Sequence, residues 1–238
     1  MASDIPSLIS PQTKTHLESP IQEEEVTKAI WSLHLDKAPG PDGFPICFYR
    51  TFWPLIKRDF MRIITWMEKG NMGGATNSSF LALIPKDSKP SFVKIFRPIS
   101  LCNASYKIFS KVMSLRIKQV IPTLISPNQG GFVSGRHISD NILLLQEAIH
   151  SSTKRREPRM AIKLDLENGF DRLRHSFIVM VMERFGFPSV FINQVQACIS
   201  SPWIAPLINV SMAGPLNSSK PLVGLGKDAR SPPSFTSW

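Results

Sequence analysis

The sequence predicts a mixed α/β (α+β) fold, and three observations carry that prediction. Residues 160–166 alternate, with Met160, Ile162, Leu164 and Leu166 on one face and Ala161, Lys163 and Asp165 on the other, which is the period of a half-buried strand. Residues 23–33 and 48–67 instead repeat their apolar positions every three or four residues, the period of an amphipathic helix. Hydrophobic residues make up 42% of the 238, enough to build a packed core and to exclude wholesale disorder.

Taken in order, residues 1–21 are rich in Ser, Pro and Thr and read as a flexible arm. Glu23, Glu24 and Glu25 open a helix, since acids favour its positive N-terminal end, and Val26, Ala29, Ile30 and Leu33 form its apolar stripe. Lys37 to Phe44 packs two prolines and two glycines into a turn. The helix over 48–67 is expected to bury Phe52, Leu55, Ile56, Phe60, Ile63 and Ile64 and to turn Arg50, Lys57, Arg58 and Arg62 outward. Residues 80–86 and 92–97 read as strands of a hairpin carrying Lys86, Lys89, Lys94 and Arg97, either an ordinary solvated hairpin or one whose cations clamp phosphate. A helix over 103–121 sets Lys107, Lys111 and Lys118 on one side, either a solvated face or one that tracks phosphates. The glycine-rich stretch 126–136 matches no P-loop or dinucleotide fingerprint. A short apolar helix over 138–149 and a basic link, Lys154-Arg155-Arg156, lead into the alternating strand. Helices over 177–185 and 190–200, broken by Gly186-Phe187-Pro188, precede a strand over 204–210. Residues 226–238 carry no core pattern.

The charge is uneven. Net charge is +10, but residues 1–36 hold two Lys against six acids, net −4, and residues 37–238 hold twenty-six Lys and Arg against twelve acids, net +14. A body this basic points to a polyanionic partner, nucleic acid before membrane, because no apolar run approaches the roughly 18 residues of a membrane span. A basic domain without a partner is the bland alternative. Cys47, Cys102 and Cys198 stand far apart with no CxxC pair, so neither zinc nor a disulfide framework is indicated, and a reducing intracellular compartment fits. The N-terminus shows no signal-peptide pattern.

Asp165 ends the alternating strand just before Asn168-Gly169. A strand-end carboxylate is a rigid oxygen ligand for a hard divalent cation; equally, an Asp at a strand-to-helix turn can serve only as a cap.

The order of several blocks resembles the reverse transcriptase of plant LINE-type (non-LTR) retrotransposons. The matching blocks are KAPGPDGF at 37–44, FYRTFW at 48–53, LIPK at 83–86, FRPISLCN at 96–103, YKIFSKV at 106–112, LISPNQGGFVSGRHISDNI at 124–142 and AIKLDLENGFDRL at 161–173, then FGFP at 185–188, ACISS at 197–201 and LINVS at 207–211. The resemblance spans about residues 20–225. It implies a right-hand polymerase fold, with an N-terminal extension and fingers over 22–155, a partial palm over 156–225, no thumb, and an RNA template, a DNA primer, dNTP and Mg²⁺ as partners. It makes Asp165 the catalytic, metal-binding carboxylate and Phe170 the aromatic that packs under the sugar. Lys86 and Arg97 become contacts for nucleotide or template phosphate. Gln129 and Arg136 fall in a block near the template strand, and Lys107 and Lys111 are assigned to nucleic acid. Asp171 orients the turn.

The chain also departs from the family pattern. Asn168-Gly169 stands where Lys-Ala is usual, Ile95 where an acid is usual, and Asn209-Val210 where the turn is Asn-Gly. After Gly224-Leu225 the family continues with a block like GLRQGDPLSPYLF and then two adjacent Asp residues. Here residues 226–238 read as an out-of-frame tail, since another frame can spell QGCSVSPFLYFM. One Asp cannot hold two Mg²⁺, so a catalytically inactive fragment is expected. The alternative is a non-enzymatic, basic nucleic-acid-binding remnant.

Overall fold

The computed structural model describes residues 7–73, 76–89, 91–92, 95–155, 160, 162, 164, 172–200, 203–208 and 211–212. Helices α1 (Pro11–Glu18), α2 (Glu23–Ser32) and α3 (Ile46–Glu68) precede strands β1 (Ser78–Pro85) and β2 (Phe96–Cys102). Then come α4 (Ala104–Lys118), the short α5 (Ile121–Leu124), α6 (Ile138–Arg155), α7 (His175–Phe185), α8 (Ser189–Ser200), β3 (Trp203–Ile208) and β4 (Ser211–Met212). The sheet order is β2-β1-β3-β4. β1 pairs antiparallel with β2 and parallel with β3, and β3 pairs antiparallel with β4. The mixed α/β class read from the sequence is the class observed.

Helices α2, α3, α4 and α8 supply most of the core. Val26, Ala29 and Ile30 pack with Phe60, Ile64, Ile108, Phe109, Val112 and Phe191, all buried in one cluster. Over the described residues 7–21, the first helix corrects the reading of 1–21 as a flexible arm. Ser10 caps α1 by accepting the Thr13 N–H (3.2 Å), Pro11 sits in its first turn, and Leu17 is buried. The Ser/Pro/Thr composition that resembled a linker is a cap signal here.

Arg116 explains why α1 stays in place. Its guanidinium, 2% exposed, forms a bidentate pair with Glu25 (Nε–Oε1 2.8 Å, Nη2–Oε2 2.7 Å). Its remaining N–H groups donate to the carbonyls of Leu17 (3.5 Å), Ser19 (2.8 Å) and Pro20 (3.3 Å). All five donors of the guanidinium are thus used between α4 and the α1–α2 junction.

The buried stripe of α3 is rotated from the expected one. Ile46, Tyr49, Trp53, Phe60, Ile64 and Met67 are buried, whereas Phe52, Leu55 and Ile63 are exposed. A helix with this many apolar residues offers two adjacent stripes, and polar tips choose between them. The Trp53 Nε1–H donates to Thr27 Oγ1 (3.1 Å). Arg50, expected to face outward, donates to the carbonyls of Ile30, Trp31 and Leu33 and closes the C-terminal end of α2.

The second hairpin strand runs over 96–102 rather than 92–97. Pro98 argues against a strand interior, but β2 is a sheet edge, where a missing N–H costs little. Helix α6 runs to Arg155, so Lys154 and Arg155 belong to it and not to a linker. Of the alternating stretch 160–166, Met160, Ile162 and Leu164 are described; they lie outside any strand and are exposed, against the half-buried strand expected there. The rest of that stretch lies outside the described residues.

Candidate nucleic-acid interface

The sites proposed from sequence fall into three groups in the structure. The first is the β1–β2 hairpin. Arg97 pairs with Ile84 across the ladder, and the Lys86 N–H donates to the Ile95 carbonyl (2.8 Å), extending the same register past Pro85. Alternation along a strand places residues 84 and 86 on one face, and Arg97 shares that face through its partner. The two exposed cations thus share one face at the turn end of the hairpin. Two cations on one face of a strand pair are of the chemistry that binds phosphate oxygens.

The second group is the loop between α5 and α6. Arg136 Nη1 donates to the carbonyls of Ser126 (2.5 Å) and Gln129 (2.9 Å), and Nη2 donates to that of Ile125 (3.3 Å). Gln129 in turn donates from Nε2 to the Gly131 carbonyl (3.3 Å). Gln129 and Arg136 are therefore brought together, but the Arg136 guanidinium is directed at the loop's own backbone.

The third group joins α4 to the turn at 37–44. Lys107 is only 8% exposed, and its ammonium donates to the Ala38 carbonyl (2.7 Å). This corrects the reading of Lys107 as part of an open basic face. Burial pulls its pKa below the usual lysine range, with Cys102 and Asp42 pushing back. Lys111 is half-buried, and burial, then the neighbouring charges of Lys118 and Lys37, lower its pKa as well. The turn is docked further by the Asp42 N–H, which donates to Asn103 Oδ1 (3.1 Å). The Asp42 carboxyl is pushed up by burial, against hydrogen bonds from the N–H groups of Phe44 and Ala104. Asp42 thus meets the first N–H of α4, where an anion is favoured. Sequence reasoning missed Asn103, which is buried. Its signal was Asn directly before a helical repeat, the pattern of an N-terminal cap.

Asp165 and Phe170 lie outside the described residues. Among the described residues no group of three or more His, Cys, Asp or Glu is placed to hold a metal ion. These residues therefore do not form a site that fits the implied divalent metal. No helix among them is long and apolar enough to cross a membrane.

Comparison with known proteins gives consistent matches. Residues 84–219 match the family described as reverse transcriptase (RNA-dependent DNA polymerase). The chain is 32% identical over 210 residues to the Transposon TX1 uncharacterized 149 kDa protein of Xenopus laevis, covering 88% of this chain and 16% of that protein. It is 27% identical over 188 residues to the retrovirus-related Pol polyprotein from type-1 retrotransposable element R2 of Popillia japonica, covering 78% of this chain and 25% of that one. Over 182 residues it is 24% identical to the probable RNA-directed DNA polymerase from transposon BS of Drosophila melanogaster, covering 72% and 19%. The chain spans a quarter or less of the length of these relatives.

Proposed function

This chain belongs to the reverse transcriptase (RNA-dependent DNA polymerase) family, and we propose that it forms the fingers and the first part of the palm of such a polymerase, from a non-LTR retrotransposon of the plant LINE type. The observation that supports the reading is the placement of Lys86 and Arg97 on one face at the turn end of a hairpin inside the matched segment. The partners proposed are an RNA template, a DNA primer and dNTP. Lys86 and Arg97 bind phosphate of the nucleotide or template. Lys111 adds a weaker, half-buried cation. Lys107 and Arg136 act indirectly, by holding the 37–44 turn and the 125–136 loop in shape. Gln129 is carried by that second loop.

Asp165 is proposed as the metal-binding carboxylate and Phe170 as the aromatic beneath the sugar. A divalent metal bound there would neutralise charge on the attacking 3′ oxygen and the leaving pyrophosphate. Two such ions need several carboxylates. The acids after Asp165 are Glu167, Asp171, Glu183 and Asp228, none adjacent to another. The 238-residue polypeptide assayed by itself is therefore expected to bind nucleic acid without extending a primer.

Two measurements test this. In primer extension on an RNA template with Mg²⁺, no product is expected; extension that disappears in Asp165→Ala refutes the inactive reading. In binding titrations across a salt series, affinity for single-stranded RNA should fall steeply. Removing one phosphate-binding cation, as in Lys86→Ala or Arg97→Ala, should flatten the log–log slope by about 0.7. No binding even at low salt would instead support a basic domain with no nucleic-acid role.

A further inference from the structure

Helix α3 carries a cationic stripe that lies before the matched segment 84–219. Arg58, Arg62 and Lys69 fall at i, i+4 and i+11, so three turns set them on one side. All three are exposed, and with Met61, Thr65 and Trp66 they line one concavity of about 360 Å³, within the range of ligand clefts, about 300–1,000 Å³. The two acids of α3 do little to neutralise it. Glu68 is half-buried and accepts the Ile21 N–H (2.7 Å). Asp59 accepts from Arg62 Nη1 (2.9 Å), but this pair is more than two-thirds exposed on each side, and such surface pairs contribute little.

Trp66 gives the stripe its second feature. Its indole is 43% exposed, whereas Trp53 on the same helix is 6% exposed and packed in the core. The chain after α3 packs on the Trp66 ring and fixes it. A Cβ on Gly73 would stand 3.1 Å from Trp66 Cη2, and Asn71 Nδ2 donates to the Trp66 carbonyl (3.1 Å). An indole held among cations is the combination that grips single-stranded nucleic acid: cations follow the backbone and the ring takes an unpaired base. We propose that this groove of α3 binds single-stranded RNA, with Arg58, Arg62 and Lys69 on phosphates and Trp66 stacked on a base. Charge complementarity commits the groove to a polyanion, and the ring favours a strand with unpaired bases over a duplex. The inference rests on the polymerase reading above, which supplies RNA as the strand, and it adds a contact on an element separate from the one that carries Lys86 and Arg97.

The test is fluorescence anisotropy of the full 238-residue chain with a labelled oligoadenylate RNA and with the same backbone carrying abasic sites. Trp66→Ala should weaken binding to the base-bearing strand about ten-fold, Trp66→Phe should weaken it less, and on the abasic strand all three proteins should bind alike. The combined variant Arg58→Gln, Arg62→Gln and Lys69→Gln alters only exposed side chains and so keeps the fold. It should flatten the log–log salt slope by about 2, three phosphates at about 0.7 each, and should do so equally when Lys86→Ala and Arg97→Ala are also present. An unchanged slope in the combined variant where the unsubstituted chain binds overturns the inference and leaves the polymerase reading standing. Equal loss on the base-bearing and abasic strands in Trp66→Ala overturns it too, as does a change in oligomeric state by light scattering with RNA affinity unchanged, which would make the face a contact between copies. Failure of the unsubstituted chain to bind RNA at low salt overturns the polymerase reading itself.

Discussion

Arg116→Met is expected to cost about 3–5 kcal/mol of folding stability, the range for removing one partner of a buried ion pair. Methionine fills much of the volume, so the loss is electrostatic and not a cavity. Glu25 would lose both of its guanidinium bonds (2.8 and 2.7 Å), and the carbonyls of Leu17, Ser19 and Pro20 would lose their donor at once. Each buried polar group left unsatisfied costs about 1–3 kcal/mol. Glu25 keeps some access to water, which places the larger share of the loss on the carbonyls and so on the docking of α1. Urea unfolding should show it, and loss of α1 protection in hydrogen exchange should precede global unfolding. A stability change under about 1 kcal/mol would contradict the arrangement, since surface pairs contribute that little.

The pair also has a pH signature. Burial pushes the Glu25 carboxyl up, but hydrogen bonds from Arg116 and from the Gln22 N–H, with the Arg116 charge, outweigh it and hold the group below its ordinary value. A carboxylate depressed in the folded state stabilises the fold above its unfolded pKa, near 4.3, and that contribution is lost as pH falls through the folded pKa. Asp42 and Glu68, both raised mainly by burial, act in the opposite sense. The clean observable is therefore the difference between the unsubstituted chain and Arg116→Met. It should be constant near neutral pH and shrink below about pH 4.3.

The parts of the fold that were legible in the sequence share a cause. Helices α2, α7 and α8 announced themselves by local signals: three acids at a helix start, apolar residues at helical spacing, and a glycine stop. Gly186 indeed ends α7 in the left-handed conformation, with the Phe187 N–H donating to Met182 O. The misreadings arose where a distant residue decides the outcome. The C-terminal end of α1 at Leu17–Pro20 is ordinary locally and is held by Arg116, 97 residues beyond Ser19. The α3 stripe was chosen by contacts with α2. Pro98 is tolerated only because β2 is an edge strand, a fact of topology. The basic residues divide in the same way. Charge counting finds Lys86, Arg97, Lys107 and Arg136 alike, and only the structure shows that Lys86 and Arg97 are exposed on the hairpin while Lys107 and Arg136 hold backbone carbonyls.

That division gives the second large effect, at Gly40. A Cβ on Gly40 would lie 2.4 Å from the backbone N of Asn103 and 2.4 Å from the carbonyl carbon of Cys102. Neither is the tip of a flexible side chain, so the strand-to-helix junction or the whole 37–44 turn must move. Moving the turn breaks the Asp42–Asn103 and Lys107–Ala38 hydrogen bonds together and takes the Asp42 carboxyl from the start of α4. Gly40→Ala is therefore expected to cost about 3 kcal/mol or more, the upper part of the range for overpacking. Gly43→Ala is the internal control. A Cβ there meets nothing within 4 Å, but φ is +72°, so only dihedral strain of about 1–2 kcal/mol applies. Trypsin supplies a local readout: cleavage after Lys37 should accelerate in Gly40→Ala under native conditions and change little in Gly43→Ala. Equal stability of the two variants would show that the turn is not locked against Asn103. Lys107 would then be free to serve as a phosphate contact after all, with its salt dependence restored to the binding isotherm.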